Sequence, residues 1–378
     1  MQSKLASTGT SIFTVMSKMA ADYGAINLSQ GYPGFHISQE LIDLVSFYMN
    51  NGDNQYAPMP GLPQIREQIS LKVNKSFDCG VNANDHITVT SGATEAIYAT
   101  MTALIHVGDE VIYFEPAYDS YHPNILLNGG IPIPIKLNND DFSIPWEAVE
   151  EKVTGKTKMI VINTPHNPSG AVLTKEDLER LYDIVRNKGI FVLSDEVYEH
   201  LIFDGLEHQS VLSHAGLREK SIAVFSFGKT FHATGWKMGY SVAPKAITEE
   251  IKKVHQFVVF SVSTPVQLAM TEFLKNPDHY NSLPDFYQKK RDLFLELMKK
   301  SRFKPLPSQG TYFVTYSYED ISDEPDVEIA QRFTKEKGIA SIPFSVFYGD
   351  RTDNKLLRFC FAKEDETLIK AAGILCKI

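Results

Sequence analysis

The chain has 378 residues, of which 43% are hydrophobic and 22% charged, and its formal net charge is −9. That composition fits a globular protein with one large domain and room for a smaller one. It leaves no basic footprint for nucleic acid, no apolar run of membrane-spanning length and no apolar signal core at the start. The three cysteines, Cys79, Cys360 and Cys376, have neither pair nor metal spacing, which fits free thiols in a reducing compartment. A cytoplasmic protein without bound metal, nucleic acid or membrane partner is expected.

Residues 1–38 read as an arm leading to the turn signal Gly31-Tyr32-Pro33-Gly34. A helix is expected from Ser38, with Leu41, Ile42, Val45 and Met49 on one face. A loop with two prolines, Asn54-Gln-Tyr56-Ala-Pro-Met-Pro-Gly61, precedes a second helix from Pro63. Strand and helix signals then alternate. The strand His86–Thr90 runs into Ser91-Gly92-Ala93-Thr94, the opening of a helix. Free N–H groups and the dipole at such a helix start favour an anion. Glu110–Phe114 is a strand followed by Glu115-Pro-Ala-Tyr118-Asp-Ser-Tyr121, where an aromatic just past the strand end can stack on a planar ring. Lys158–Ile162 is a strand ending in Asn163-Thr-Pro-His-Asn167-Pro-Ser-Gly170, which is first of all a turn. Thr174 and Asp177 resemble a capping box. The helix behind them carries Leu178, Leu181, Tyr182 and Val185 and stops near Lys188-Gly189. The strand Ile190–Leu193 runs into Ser194-Asp195-Glu-Val-Tyr198. This strand–helix–strand order predicts a right-handed crossover and parallel pairing. It places Asn167 and Asp195 on one carboxyl edge, where such folds bind ligands. The apolar run Ile222–Phe225 then opens into Ser226-Phe-Gly-Lys229.

From about residue 276 a second α/β unit follows. Its first helix starts at Pro284, with Phe286, Leu293 and Leu297 expected on the buried face. A strand at Gly310–Val314, a helix at 327–337, a strand at Leu356–Phe361 and a closing helix from Glu366 complete it. Arg358 lies inside an otherwise apolar strand. A buried guanidinium needs an anionic partner, either a structural ion pair or a ligand.

The segment Ser226-Phe-Gly-Lys229-Thr-Phe-His-Ala-Thr-Gly-Trp-Lys237-Met-Gly239 resembles the lysine segment of class I aminotransferases, pyridoxal-phosphate enzymes of fold type I. Gln-Gly31-Tyr32-Pro, Asn-Gln-Tyr56-Ala-Pro-Met, Thr-Pro-His-Asn167-Pro and Asp195-Glu-Val-Tyr198-Glu-His extend the likeness over nearly the whole chain. They are most similar to the methionine and kynurenine/glutamine aminotransferase branch. The resemblance implies a large domain (39–275) with a mostly parallel seven-stranded sheet between helices, a small α/β domain (276–378) and the N-terminal arm (1–38).

It also implies pyridoxal 5′-phosphate as cofactor and a role for each strand-end group. Lys229 bonds to the cofactor aldehyde and then moves the proton, and Asp195 faces the pyridine nitrogen. Tyr198 and Asn167 reach the ring oxygen, and Tyr118 stacks on the ring. Gly92, Ala93, Thr94, Ser226 and Lys237 hold the phosphate, as does Tyr56 from a neighbouring subunit. Lys237 stands where many relatives have arginine, and loses the bidentate geometry. Arg358 binds the substrate α-carboxylate as a planar fork, close to Asn167 and Gly31. Phe13, Tyr32 and Phe260 are the side-chain pocket, Phe260 from across a homodimer interface. No second cation can be placed for a dicarboxylate, so a neutral or aromatic amino acid, methionine foremost, is expected to pass its amino group to an α-keto acid by a ping-pong route. A kynurenine/glutamine transaminase and a cysteine-conjugate C–S β-lyase use the same scaffold. A silent binding module would show a broken site or an appended DNA-binding segment, and neither is seen.

Overall fold

Residues 3–5 and 9–378 are described by the computed structural model. A helix, Ile12–Asp22, leads to the two-residue strand β1 (Ile26–Asn27). Seven strands follow: β2 (Ile87–Thr90), β3 (Glu110–Glu115), β4 (Ile131–Lys136), β5 (Thr157–Asn163), β6 (Phe191–Asp195), β7 (Ser221–Ser226) and β8 (Gly239–Val242). They form one sheet in the order β2-β8-β7-β6-β5-β3-β4. Strands β4, β3, β5, β6 and β7 run parallel, while β8 is antiparallel to both its neighbours. The central strands are apolar along their length because helices cover both faces. Ile160, Ile162, Val192, Ala223 and Phe225 pack on one face, and Val161, Leu193, Ile222 and Val224 on the other. Burying each of these larger aliphatic side chains contributes roughly 1.5–3 kcal/mol. The fold is the mostly parallel α/β sheet that the alternating signals predict.

The Ile-Pro-Ile-Pro-Ile-Lys segment of β4 is not among the strands read from the sequence, and proline cannot donate to a ladder. Its place at the sheet edge explains how it forms one. Ile131 N–H donates to Asp109 O at 2.7 Å and Leu137 N–H to Glu115 O at 2.8 Å. Odd-numbered residues therefore face β3, and Pro132 and Pro134 face outward, where no ladder bond is lost. At the opposite edge, Val89 N–H of β2 donates to Pro60 O of the two-proline loop, at 3.0 Å.

Five short strands build the C-terminal part: β9 (Lys304–Pro305), β10 (Phe313–Ser317), β11 (Ile339–Ala340), β12 (Ile342–Pro343) and β13 (Leu356–Cys360). Four of them make an antiparallel sheet in the order β12-β13-β10-β9. β11 pairs in parallel with β1, so the arm is stitched to this part.

Two expected helix faces are corrected. The helix Gln39–Asn50 buries Leu41 and Val45, but Met49 is exposed. Steps of four overshoot the 3.6-residue period, so the second step carries Met49 about 80° off the buried line. The helix Leu283–Met298 buries Leu283, Tyr287, Lys290, Arg291, Phe294 and Met298. Phe286, Leu293 and Leu297 only flank that line. Charged residues occupy it because each has a partner: Lys290 binds Asp365 at 2.6 Å, and Arg291 forks onto Asp204 with two contacts of 2.6 Å. The capping box at Thr174 is present in both directions, although its helix stops at Val185.

Candidate active site

The carboxyl ends of β5, β6 and β7 lie side by side, with Asn163 in register with Asp195. Asn163 Nδ2 donates to Asp195 O at 2.8 Å and Thr164 N–H to the same oxygen at 3.0 Å, tying the two strand ends together. A cavity of about 280 Å3 opens at this edge.

Lys229 sits on one wall, in the short helix Phe227–Thr230 that begins where β7 ends. The Ser226 hydroxyl caps that helix, accepting the Lys229 N–H at 3.3 Å. The Lys229 amine donates to Gly31 O at 2.9 Å and to the Tyr312 hydroxyl at 3.0 Å. Burial brings its pKa down to about 8; Cys360 and Asp195 oppose that shift, while Arg358 and Lys237 add to it. A neutral amine, able to act as nucleophile or base, is thereby made accessible near neutral pH.

Asp195 lies on the same edge. Its Oδ2 accepts from the Tyr121 hydroxyl at 2.8 Å and its Oδ1 from Val197 N–H at 3.3 Å. Burial raises its pKa to about 6 against these hydrogen bonds and the Lys229 charge. A cationic ring nitrogen beside it would favour the ionised form.

The anion cradle is the start of the helix Gly92–Leu104. Ser91 N–H is already taken by Glu95 Oε2 at 2.5 Å, so the free donors begin at Gly92, followed by Ala93 and Thr94. Lys237 adopts a left-handed backbone, φ 51°, between a 3₁₀ turn and β8. Its ammonium lies 3.3 Å from where a Cβ on Gly92 would stand. Gly239 keeps β8 close beneath: a Cβ there would meet Phe225 O at 2.5 Å and Ala93 N at 2.9 Å. Glycine is needed for this approach, whatever its φ. Donors, ammonium and the Ser226 hydroxyl converge as a phosphate cradle requires.

Arg358 is 1% exposed on β13. It donates to Asn167 Oδ1 at 2.6 Å and to Ser29 O at 3.1 Å, while its Nε has no partner among the described residues. Phe313 stacks 3.8 Å below the guanidinium, with Phe13 at 5.3 Å. Burial lowers its pKa to about 10, so it stays charged at neutral pH. Neither acceptor bonded to it is anionic, and an incoming carboxylate would satisfy it.

The structure thus brings Gly31, Phe13, Gly92, Ala93, Thr94, Tyr118, Asn167, Asp195, Tyr198, Ser226, Lys229, Lys237 and Arg358 to one cavity. It sets three expected site residues outside the lining. Tyr56, 84% exposed, meets Phe260 edge to face at 5.5 Å on the surface. Tyr32 is half-exposed, with Lys363 Nζ 4.6 Å above its ring. Sequence reasoning missed Tyr312, Tyr121, Asn163 and Phe313. A tyrosine in an apolar strand approach, such as Gly310-Thr-Tyr312-Phe313, was a usable signal, since a buried hydroxyl needs a partner. A larger cleft of about 550 Å3, lined by Phe142, Leu173 and Pro307 among others, shares Asn163 with this cavity but reaches neither Lys229 nor Arg358.

The profile of the family "Aminotransferase class I and II" matches residues 24–375. The methionine aminotransferase of Escherichia coli (strain K12) is 48% identical over 372 residues, covering 98% of this chain and 96% of that protein. Kynurenine–oxoglutarate transaminase 3 of Homo sapiens is 32% identical, covering 97% of this chain and 87% of that protein. Among solved structures, an Escherichia coli protein with an identified methionine aminotransferase function superposes with a TM-score of 0.98 at 47% identity, covering 100% of this chain and 99% of that one. The N-succinyldiaminopimelate aminotransferase of Mycobacterium tuberculosis gives a TM-score of 0.96 at 32% identity, with coverage of 100% and 99%. With a buried amine, a carboxylate, a helix start and a guanidinium that has no anionic partner among the described residues around one cavity, the chain belongs to the class I and II aminotransferases, transaminase enzymes that use pyridoxal 5′-phosphate.

Proposed function

We propose that this aminotransferase takes the amino group of a neutral amino acid, methionine foremost, and passes it to an α-keto acid in two half-reactions at one site. The observation that carries this reading is the set of three cations in the cavity, Lys229, Lys237 and Arg358, each with a task already assigned. None is left to bind a side-chain carboxylate, and Phe13 offers an apolar wall. The Escherichia coli relatives support the choice of methionine.

When bound, pyridoxal phosphate supplies an electron sink for the substrate carbanion and carries the amino group between half-reactions. Gly92, Ala93, Thr94, Ser226 and Lys237 would hold its phosphate, and Tyr118 would cover the ring. Asp195, positioned by Tyr121, would favour a protonated ring nitrogen. Tyr198 and the Asn167 amide would donate to the ring oxygen, since Asn167 Oδ1 is occupied by Arg358. Arg358 anchors the substrate α-carboxylate, with the Gly31 backbone alongside. Lys229 is the amine that would hold the cofactor aldehyde; once free and neutral, it would take the proton from the substrate Cα and deliver it to the cofactor's former aldehyde carbon.

The chain divides, on this reading, into an arm (1–38), a large domain (39–275) and a small domain (276–378), in a cytoplasmic homodimer. Tyr56 and Phe260 support the dimer: both lie on the surface rather than in their own cavity, where a second copy can use them. Among the described residues no helix is long and apolar enough to cross a membrane.

Two measurements test the function. Purified protein incubated with methionine and a panel of α-keto acids must yield the methionine-derived keto acid with its sulfur group retained; loss of the sulfur group instead points to C–S lyase chemistry. Borohydride reduction followed by peptide mapping must place the cofactor adduct on Lys229, and Lys229→Ala must lose the adduct and about 10⁴-fold in amino transfer. An adduct on another lysine overturns the assignment.

A further inference from the structure

Tyr312 immediately precedes β10, is fully buried, and touches the Lys229 amine without a task assigned to it so far. Its hydroxyl donates to Gly31 O at 2.5 Å, while the Lys229 amine donates both to that hydroxyl, at 3.0 Å, and to Gly31 O, at 2.9 Å. The three polar atoms close a triangle. A phenol has a single proton to give, and here the shortest side of the triangle commits it to the carbonyl. What Tyr312 presents to the lysine is therefore a lone pair. A neutral amine has two N–H bonds and one lone pair, and the carbonyl and the phenol accept both N–H bonds from one side.

We infer that Tyr312 is a positioning residue for the proton-transferring lysine: together with the Gly31 carbonyl it holds both N–H bonds of the Lys229 amine and turns its lone pair away from this pair, toward the rest of the cavity. This inference rests on the proposed role of Lys229. Tyr312 itself moves no proton. The Cα proton passes to Lys229 Nζ, and the C–H electron pair stays with the substrate and the electron sink. The support is rigid on both sides. Tyr312 is wedged between Tyr198, 5.2 Å away and edge-on, and Phe313 at 4.8 Å. Gly31 packs close against Phe313, where a Cβ on it would stand 2.8 Å from the ring.

The test compares the natural protein with Tyr312→Phe in two arms. In the cofactor-free protein, the pH dependence of Lys229 labelling by acetic anhydride is read by mass spectrometry of its peptide. Removing an acceptor from the ammonium lowers the labelling midpoint by about one pH unit. Arg358, Asp195, Lys237, Cys360 and Tyr198, whose ring centre lies 5.7 Å from the amine, face Lys229 as well and are the same in both proteins. In the cofactor-loaded protein, the single half-reaction with methionine carrying hydrogen or deuterium at Cα slows by about 10- to 100-fold. The primary isotope effect rises, while KM changes by less than about threefold. A tyrosine that merely fills space would leave midpoint and isotope effect unmoved, and that result overturns the inference. If the phenylalanine variant does not fold, 2,6-difluorotyrosine at position 312 keeps the shape, weakens the oxygen as an acceptor, and must move both readouts in the same direction. Should the natural protein form no keto acid from methionine, the proposed function fails on its own, and the labelling arm still decides Tyr312.

Discussion

Lys229 and Arg358 place two cations in one small cavity, and their costs appear at different pH. The Lys229 pKa falls to about 8 from an ordinary 10.5. Between those values the native state binds fewer protons than the unfolded chain, so this group makes stability rise with pH from about 8 to 10.5. Below pH 8 the full penalty is carried. Lys229→Met should therefore stabilise the cofactor-free protein at pH 7, by at most about 3 kcal/mol, with solvent in the cavity and the two lost hydrogen bonds reducing the gain. Thermal unfolding at pH 7 and pH 10.5 checks this: the gain must shrink at the higher pH, and a constant or absent gain contradicts the assigned burial cost. Arg358 poses the other problem, a fixed charge with a spare donor. Arg358→Lys keeps the charge but loses the fork. Steady-state kinetics should show KM for the amino acid rising about 10- to 100-fold, as expected for a charge-assisted bond worth about 1.5–3 kcal/mol, with a smaller change in kcat.

At the scale of elements, the cradle depends on β8 lying directly under the helix Gly92–Leu104. Gly239→Ala forces a Cβ into Phe225 O and Ala93 N, which are backbone atoms. The expected result is a loss of about 1–3 kcal/mol in unfolding free energy and roughly tenfold weaker cofactor binding by fluorescence titration. What could be read beforehand follows the same logic. The position of Asn167 and Asp195 on one edge was legible, because each apolar run of a strand–helix–strand unit ends in a short motif there; the roles of Asn167, Asp195 and Lys229 came from the family resemblance. Tyr312 and Phe313 were not legible, because their roles arise where the small sheet crosses the edge of the large one. β4 was hidden because a rule about strand interiors does not govern an outward-facing edge. The buried line of the helix Leu283–Met298 was hidden because Lys290 and Arg291 lie on it, made tolerable by Asp365 and Asp204.

At the scale of the whole molecule, the two sheets meet through Glu115, whose Oε1 accepts Gly349 N–H at 3.0 Å, and through Lys136, which reaches Asp350 at 2.6 Å and Thr352 at 2.7 Å. The surface carries exposed aromatics: Tyr56 and Phe257 are both 84% exposed and Phe260, 5.5 Å from Tyr56, is 45% exposed. Exposed apolar patches of this kind are commonly covered by a partner, and the proposed dimer would cover this one. Light scattering should give twice the 42.5 kDa chain mass, and Phe257→Asp should shift it toward the single chain and weaken cofactor binding, because Tyr56 then has no partner to serve. Persistence of the dimer in that variant would move the interface elsewhere. Pro132 and Pro134 limit how any such pairing occurs. With Pro132 and Pro134 offering no hydrogen at the outer margin of β4, where Lys136 alone has an outward N–H, and with Pro60 already bonded to the margin of β2, neither side of the sheet welcomes a foreign strand. Edge-to-edge pairing of copies, and with it end-to-end zippering into fibres, is disfavoured from the moment the sheet forms.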